Sequence, residues 1–427
     1  MDLSRLKFFV KVYLVGTARA VLLRFFGAKP NTNQWDKRML LVNFDGLGDI
    51  VLMNGVIKHY KKDFPDREIY LAVRGGIGAE RSLFGDFIDE IIYFDADRFK
   101  KNPWYGVRFI NELRRIGFAT VVNHDPSVGE ALGKEVAARL GARDVIGYEG
   151  LGIQFARPFD ANMEMGIQFV ERHIFPRYTK IIPSIDRHAD VNKRLTNFLR
   201  HYITIYEAVS GSRQKDYSST VAVSPESDQS VLAMLAEYGV KSGEYCLLTL
   251  GTSTPHRDWP AERFAEVMNA AKGLKVVLVG ARSDAPLRDR FKARYAGSFV
   301  DLVGKTSIPQ VVALAKHSLL VFSNDTAPTH IAIALKKPSL AILGLGHFGM
   351  LSLYGYEDVN HWVYSKTAQC LCDNWRCIHT VGPAEPSPCV GSVLVADVIK
   401  EFASLVDYIK KNPNCPRTAF SVEFKHL

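Results

Sequence analysis

Residues 321–338 read VFSNDTAPTHIAIALKKP, and this stretch decides the fold. An apolar run ends at a polar turn of three good helix N-caps, Asn324, Asp325 and Thr326. Pro328 is tolerated only in a first helical turn, so the pattern predicts strand, turn, helix. The unpaired N–H groups of such a turn carry roughly half a positive charge, which suits a phosphate or diphosphate.

Working outward, the same unit recurs. RMLLVNF (38–44) is an apolar strand, DGLGD is a turn, and a helix is expected from about Ile50 to Lys62. EIYLAVR, EIIYFD and FATVVNH follow as strands, and a second series comprises YCLLTLG, KVVLVG, FVDLVG, LLVFSND and SLAILG. Continuous apolar runs alternating with helices are the signature of buried parallel strands. Two such series imply an α/β protein of two doubly wound Rossmann-like domains, with ligands at the carboxyl ends of the strands. The expected divisions are a basic N-terminal segment (1–36), a first domain (37–232), a second domain (233–395) and a terminal helix and tail (396–427). A hinge is expected near residues 223–243, and SGSRQKDYSST (210–220) reads as a mobile polar loop.

Four blocks carry a family resemblance. DTAPTHIAIALKKP resembles the D-S/T-G-P-x-H-x-A-A-A-L-x-K/R-P block of glycosyltransferase family 9, the lipopolysaccharide heptosyltransferases. FDGLGDIVLMNGVIKHYKKDFP (44–65), VVNHDPSVGEALGKEVAARLGARDVIGY (121–148) and LGTSTPHRDWPAERFAEVM (250–268) fall in the family's order. The resemblance implies a GT-B fold, a first domain that binds the acceptor, a second that binds the nucleotide sugar, and a terminal helix that crosses back to the first domain. It also implies inverting, metal-independent transfer with no required cofactor. ADP-heptose is the implied donor, and a lipopolysaccharide core or related anionic glycan the acceptor. Alternatives are a different donor sugar or a non-catalytic sugar-nucleotide-binding protein.

Such a transfer needs a base for the acceptor hydroxyl and stabilisation of the departing diphosphate. Gly48-Asp49 match the family's G-D aspartate, which makes Asp49 the candidate base. An N-cap role for the helix expected at Ile50 is the structural alternative. A dinucleotide fingerprint fails because Val51 stands where the third glycine belongs. Arg257, two residues before Trp259-Pro260, matches a family cation for the leaving group. Asp325, Thr326, Ala327 and His330 form the implied donor site, with Ala327 replacing the family's usual glycine. Asp125 is the candidate acceptor contact, and Arg98, Lys100 and Lys101 would meet an anionic acceptor or form a solvated basic loop. Asp95-Ala96-Asp97 resembles the metal-binding D-x-D of another architecture but sits where turn aspartates are ordinary.

Over the whole chain of 427 residues the net charge is +9. Residues 1–38 hold eight Lys/Arg against Asp2 and Asp36, so most of that charge is N-terminal and general nucleic-acid binding is a poor inference. Lys11, Arg19 and Arg24 interrupt the apolar run of residues 1–28, which excludes a spanning helix. On a helical wheel the basic residues do not share one face. Attachment at a membrane surface, on the cytoplasmic face of the inner membrane, competes with a packing extension. Cys370, Cys372, Cys377 and Cys389 cluster as C-x-C-x4-C-x11-C, which fits a structural zinc or a loop that packs its thiols.

Overall fold

The structure is a computed structural model that describes residues 3–125, 132–148, 178–182, 198–345, 352–366, 377, 379, 382, 385–413 and 418–421. Side chains of the first helix are described from Leu14 onward. Two six-stranded sheets, each wholly parallel, organise it. The first contains β1 (Arg38–Asn43), β2 (Glu68–Arg74), β3 (Glu90–Phe94), β4 (Thr120–Asn123), β5 (Asp144–Tyr148) and β6 (Lys180–Ile182), in the order β3-β2-β1-β4-β5-β6. The second contains β7 (Tyr245–Thr249), β8 (Lys275–Val279), β9 (Phe299–Asp301), β10 (Leu320–Asn324), β11 (Ser339–Leu343) and β13 (Asn360–Tyr364), in the order β13-β11-β10-β7-β8-β9. A short antiparallel pair, β12 (Gly355–Tyr356) with β14 (Phe420–Ser421), stands apart.

Counted from its own first strand, each sheet has the doubly wound order 3-2-1-4-5-6. The winding reverses between β1 and β4 in one and between β7 and β10 in the other. Loops leaving those strands diverge to opposite faces and open a crevice, where such folds bind ligands. The strands are buried on both faces: Met39, Leu40, Leu41 and Val42 are inaccessible, as are Leu320, Val321 and Phe322.

Helices of the first half are α1 (Leu3–Phe26), α2 (Leu47–Asp63), α3 (Ala96–Lys101), α4 (Pro103–Ile116), α5 (Leu132–Ala138) and α6 (Phe198–Ser210). Then come α7 (Pro225–Glu237), α8 (Ala261–Ala270), α9 (Ala285–Arg294), α10 (Ile308–His317), α11 (Ala327–Ala334), α12 (Pro388–Gly391) and α13 (Val395–Lys411). The halves share a core, because Leu47, Ile50 and Val51 of α2 belong to one apolar cluster with Ile331, Ala332 and Ile333 of α11. Between the sheets, residues 225–237 form α7, which packs on α10.

Three local expectations are corrected. Residues 210–220 do not read out as a free polar loop: Ser219 Oγ donates to the Leu52 carbonyl (3.1 Å), Lys58 Nζ donates to the Ser218 carbonyl (2.7 Å), and Asn54 donates to the Thr220 carbonyl. Helix α2 carries donors and acceptors on that face, so the segment is laced to it. The terminal helix α13, expected to cross back to the first domain, instead buries Val398, Phe402 and Leu405 in the second core. Their spacing of four and three makes one stripe, and it packs on α8 and β13. Helix α2 starts at Leu47 rather than Ile50.

α1 packs on α3 and α4. Arg19, which breaks the wheel pattern, points inward and is 2% exposed. Its guanidinium meets Glu135 at 2.5 Å, donates to the Phe99 carbonyl at 2.5 Å and lies 3.5 Å over the Phe99 ring. Gly106 makes room, since a Cβ there would come within 2.2 Å of Arg19 Nε. Arg19→Leu is expected to cost about 3 kcal/mol in a urea melt, the low end for breaking a buried pair, because Arg139 still reaches Glu135 at 3.3 Å. Arg19→Lys should not rescue it, as an ammonium cannot bond two acceptors and stack at once. No helix among the described residues is long and apolar enough to cross a membrane.

Candidate active site

Both crevices are built alike. β1 ends at Asn43, whose side-chain oxygen accepts from Asp45 N–H (3.0 Å) while its amide donates to Tyr202 Oη (3.3 Å). The chain then turns at Gly46, the N-cap of α2, and Asp49 falls at the third helical position. There Asp49 Oδ2 accepts from Gly46 N–H at 3.1 Å. Asp49 is therefore not an N-cap; from the third helical position its carboxylate accepts the N-cap residue's N–H, one half of the capping-box pattern. Its other oxygen, Oδ1, is buried with no hydrogen-bond partner. Burial raises its pKa to about 7, and the Asp325 carboxylate pushes the same way, against the Gly46 N–H and Arg257.

In the second half, β10 ends at the buried Asn324. Its amide donates to the Leu250 carbonyl (2.6 Å) and its oxygen accepts from Trp259 N–H (3.0 Å), fixing the loop after β7 to the end of β10. That loop closes on itself where Asp258 accepts from Thr252 N–H (2.7 Å), and burial pushes Asp258 up to about 6. It presents Arg257, which donates to the Asp325 carbonyl (2.8 Å) and reaches Asp325 Oδ2 at 3.3 Å. Thr326 is the N-cap residue of α11, and Ala327 opens the helix. Ala fits because it is the first helical residue, where a Cβ is no hindrance.

His330, one turn on, bonds Tyr354 Oη through Nδ1 (2.5 Å) and places Nε2 3.7 Å from Asp325 Oδ1. Burial holds its pKa below the usual histidine value, with Arg257 acting the same way and the Asp325 carboxylate opposing. The Tyr354 contact fixes the ring so that Nε2 faces Asp325. The two halves meet here. A Cβ on Gly48 would come within 2.6 Å of the His330 ring, so glycine is what lets the α2 and α11 termini approach.

The structure thus brings Asp49, Arg257, Asp325, Thr326, Ala327 and His330 to one place. Asp125, after β4, lies on the same side: its charge, with those of Asp49 and Asp45, acts on the buried Tyr202 hydroxyl. Arg98, Lys100 and Lys101 are elsewhere. They belong to α3, which follows the edge strand β3, with β2 between it and β1. Arg98 lies over Tyr105, and Lys100 is 3.9 Å from Asp97. Asp95 of the D-x-D caps α3 by accepting from Arg98 N–H (2.9 Å). His124 is a buried imidazole bonded to Tyr60 Oη, with its pKa lowered to about 3 by burial.

Tyr202 and Tyr354 were not legible as site residues. Neither sits in a motif, and each reaches the crevice from an element distant in sequence. Among the described residues no group of three or more His, Cys, Asp or Glu could hold a metal. Cys370 and Cys372 lie outside the described residues, while Cys389 is buried beside Ser387.

Residues 175–378 match the family described as "Glycosyltransferase family 9 (heptosyltransferase)". Over that stretch the chain is similar to glycosyltransferase family 9. The chain is 25% identical over 191 residues to lipooligosaccharide heptosyltransferase 2 of Haemophilus influenzae, a match covering 43% of this chain and 49% of that protein. The matched stretch thus spans about half the length of that relative. Among solved structures, a family 9 glycosyltransferase of Veillonella parvula superposes with TM-score 0.64 at 17% identity, covering 87% of this chain and 97% of that one. The E. coli ADP-heptose lipopolysaccharide heptosyltransferase II superposes with TM-score 0.59 at 15% identity, covering 87% and 99%. The fold is therefore GT-B, two Rossmann-like domains facing one another.

Proposed function

We propose that the protein is an inverting glycosyltransferase that moves a sugar from a nucleotide diphosphate to a hydroxyl of an anionic, lipid-linked or oligosaccharide acceptor. ADP-heptose is the donor and a lipopolysaccharide core sugar the acceptor; the relatives' names put these first. The observation that carries the reading is the meeting of a buried carboxylate of pKa about 7, Asp49, with the turn at Asp325–Ala327 of the other half. Asp49 takes the acceptor proton through its unpartnered oxygen as the acceptor oxygen attacks the anomeric carbon. The bond from that carbon to the diphosphate breaks, its electron pair leaves with the nucleotide, and a single displacement inverts the centre. Charge gathering on the leaving diphosphate is met by the N–H groups opening α11, the Thr326 hydroxyl and Arg257. Asp325 positions Arg257, and His330 holds Asp325 and the donor sugar. Asp125 orients the acceptor, while Arg98, Lys100 and Lys101 meet its anionic part at the edge of the first sheet. No metal is required in this scheme. The enzyme works peripherally on the cytoplasmic face of the inner membrane.

A thermal-shift panel of ADP-, UDP-, GDP- and CMP-sugars tests the donor. A ligand at about 100 times its Kd stabilises the native state by about 2.7 kcal/mol, so ADP-heptose should raise Tm by several degrees and the others by less. A flat response across the panel would remove the donor assignment.

A further inference from the structure

Half of the large hydrophobic side chains exposed among the described residues lie on one face, made by α1 and the start of α4: Leu14 (58%), Val21 (52%), Phe25 (74%), Phe26 (58%) and Trp104 (51%). Leu14, Ala18, Val21 and Phe25 are spaced four, three and four, one continuous stripe along the outside of α1. Phe26 and Trp104 meet at 5.2 Å and join the stripe to α4. Arg19, one of the basic residues scattered around the wheel of α1, turns inward to Glu135 and leaves the stripe from Leu14 to Phe25 as an uncharged outer face.

The rim is basic. Arg24, Lys29, Lys101 and Arg108 are exposed around the aromatic end, and α1 contains no acidic residue. Of the acids on α3 and α4, Asp97 is within 3.9 Å of Lys100, and Glu112 is exposed. An apolar stripe with Phe and Trp, flanked by Lys and Arg, matches the interfacial layer of an anionic bilayer. A second copy of the chain fits poorly, because a two-fold contact would set each cationic rim against itself.

We propose that the α1/α4 face is a lipid-docking surface that seats the acceptor-binding half on a membrane rich in anionic phospholipid. The surface deepens the membrane part of the function proposed above, and rests on it only for the acceptor's location. Vesicle binding and nucleotide binding are read separately, so either can fail alone.

The test is co-sedimentation of the full chain with phosphatidylethanolamine vesicles, with and without phosphatidylglycerol. The variants are Phe25→Ser/Trp104→Ser and Arg24→Glu/Arg108→Glu. Deleting the helix is a poor substitute, since it would strip Glu135 of Arg19. The wild type is expected to bind the phosphatidylglycerol vesicles, less so as salt rises. Each double variant should lower the partition coefficient about tenfold or more, with an unchanged melting temperature and nucleotide response. The proposal is overturned if the wild type stays in the supernatant or if the variants partition like it. A wild-type dimer in light scattering that Phe25→Ser/Trp104→Ser makes monomeric, with no lipid binding, would identify a contact between copies and overturn it as well.

Discussion

Asp49→Asn should lower kcat by about 10²- to 10⁴-fold, the usual worth of a positioned general base, while making the protein more stable in neutral to alkaline solution. The amide oxygen can still accept from Gly46 N–H, so the bond that caps α2 survives. What changes is the charge. The folded pKa, about 7, lies above the ordinary aspartate value of 3.8, so the stability linked to the neutral carboxyl is complete below about 3.8 and lost as pH rises through about 7. Above that point the wild type carries a buried carboxylate at a cost on the order of a few kcal/mol, and the asparagine variant does not. Only the ionised form can accept a proton, so wild-type kcat/KM should rise through the same pH. Denaturant melts and a pH–rate profile check both halves. A variant that is inactive and also less stable above pH 7 would mean Asp49 serves the fold, not the reaction.

Arg257→Ala should lower kcat by about 10²- to 10³-fold, the scale of one lost electrostatic contact to a developing anion. It should also move the acid limb of the pH–rate profile upward. The guanidinium is one of the influences holding Asp49 down, and the Asp325 carboxylate, 3.3 Å from it, would repel a second charge without it. The side chains of this pair are 10% and 5% exposed. Removing one partner of such a pair costs roughly 3–5 kcal/mol, which a urea melt reads directly. Arg257→Lys should recover part of the loss, because one guanidinium nitrogen serves both the carbonyl and the carboxylate of Asp325 and an ammonium has donors enough for both. An acid limb that stays in place would show that the arginine does not act on Asp49.

The fold was largely legible because its signals are local. A parallel strand buried on both faces has to be apolar throughout, and the turn that follows has to cap a helix. Residues 38–49 and 320–330 state both requirements within a dozen residues each. The candidate site residues nearest those turns were legible for the same reason, with Asp49, Arg257 and Asp325 each following a strand that borders a winding reversal. How far the basic run at Arg98–Lys101 stands from the crevice was not legible, because sequence carries charge but no strand order. β2 stands between that run and the crevice.

What the chain by itself determined, then, is two repeated α/β units and a capped turn at the head of each. Tertiary structure alone decided that Arg19 is buried, since Glu135 lies 116 residues away. Contact alone likewise set residues 210–220 along α2, brought Tyr202 and Tyr354 to the crevice, and kept α13 on the second half. The protonation of Asp49 belongs with these. A carboxylate's pKa depends on the water it loses and the charges it meets, and both were set only when the two halves closed on each other.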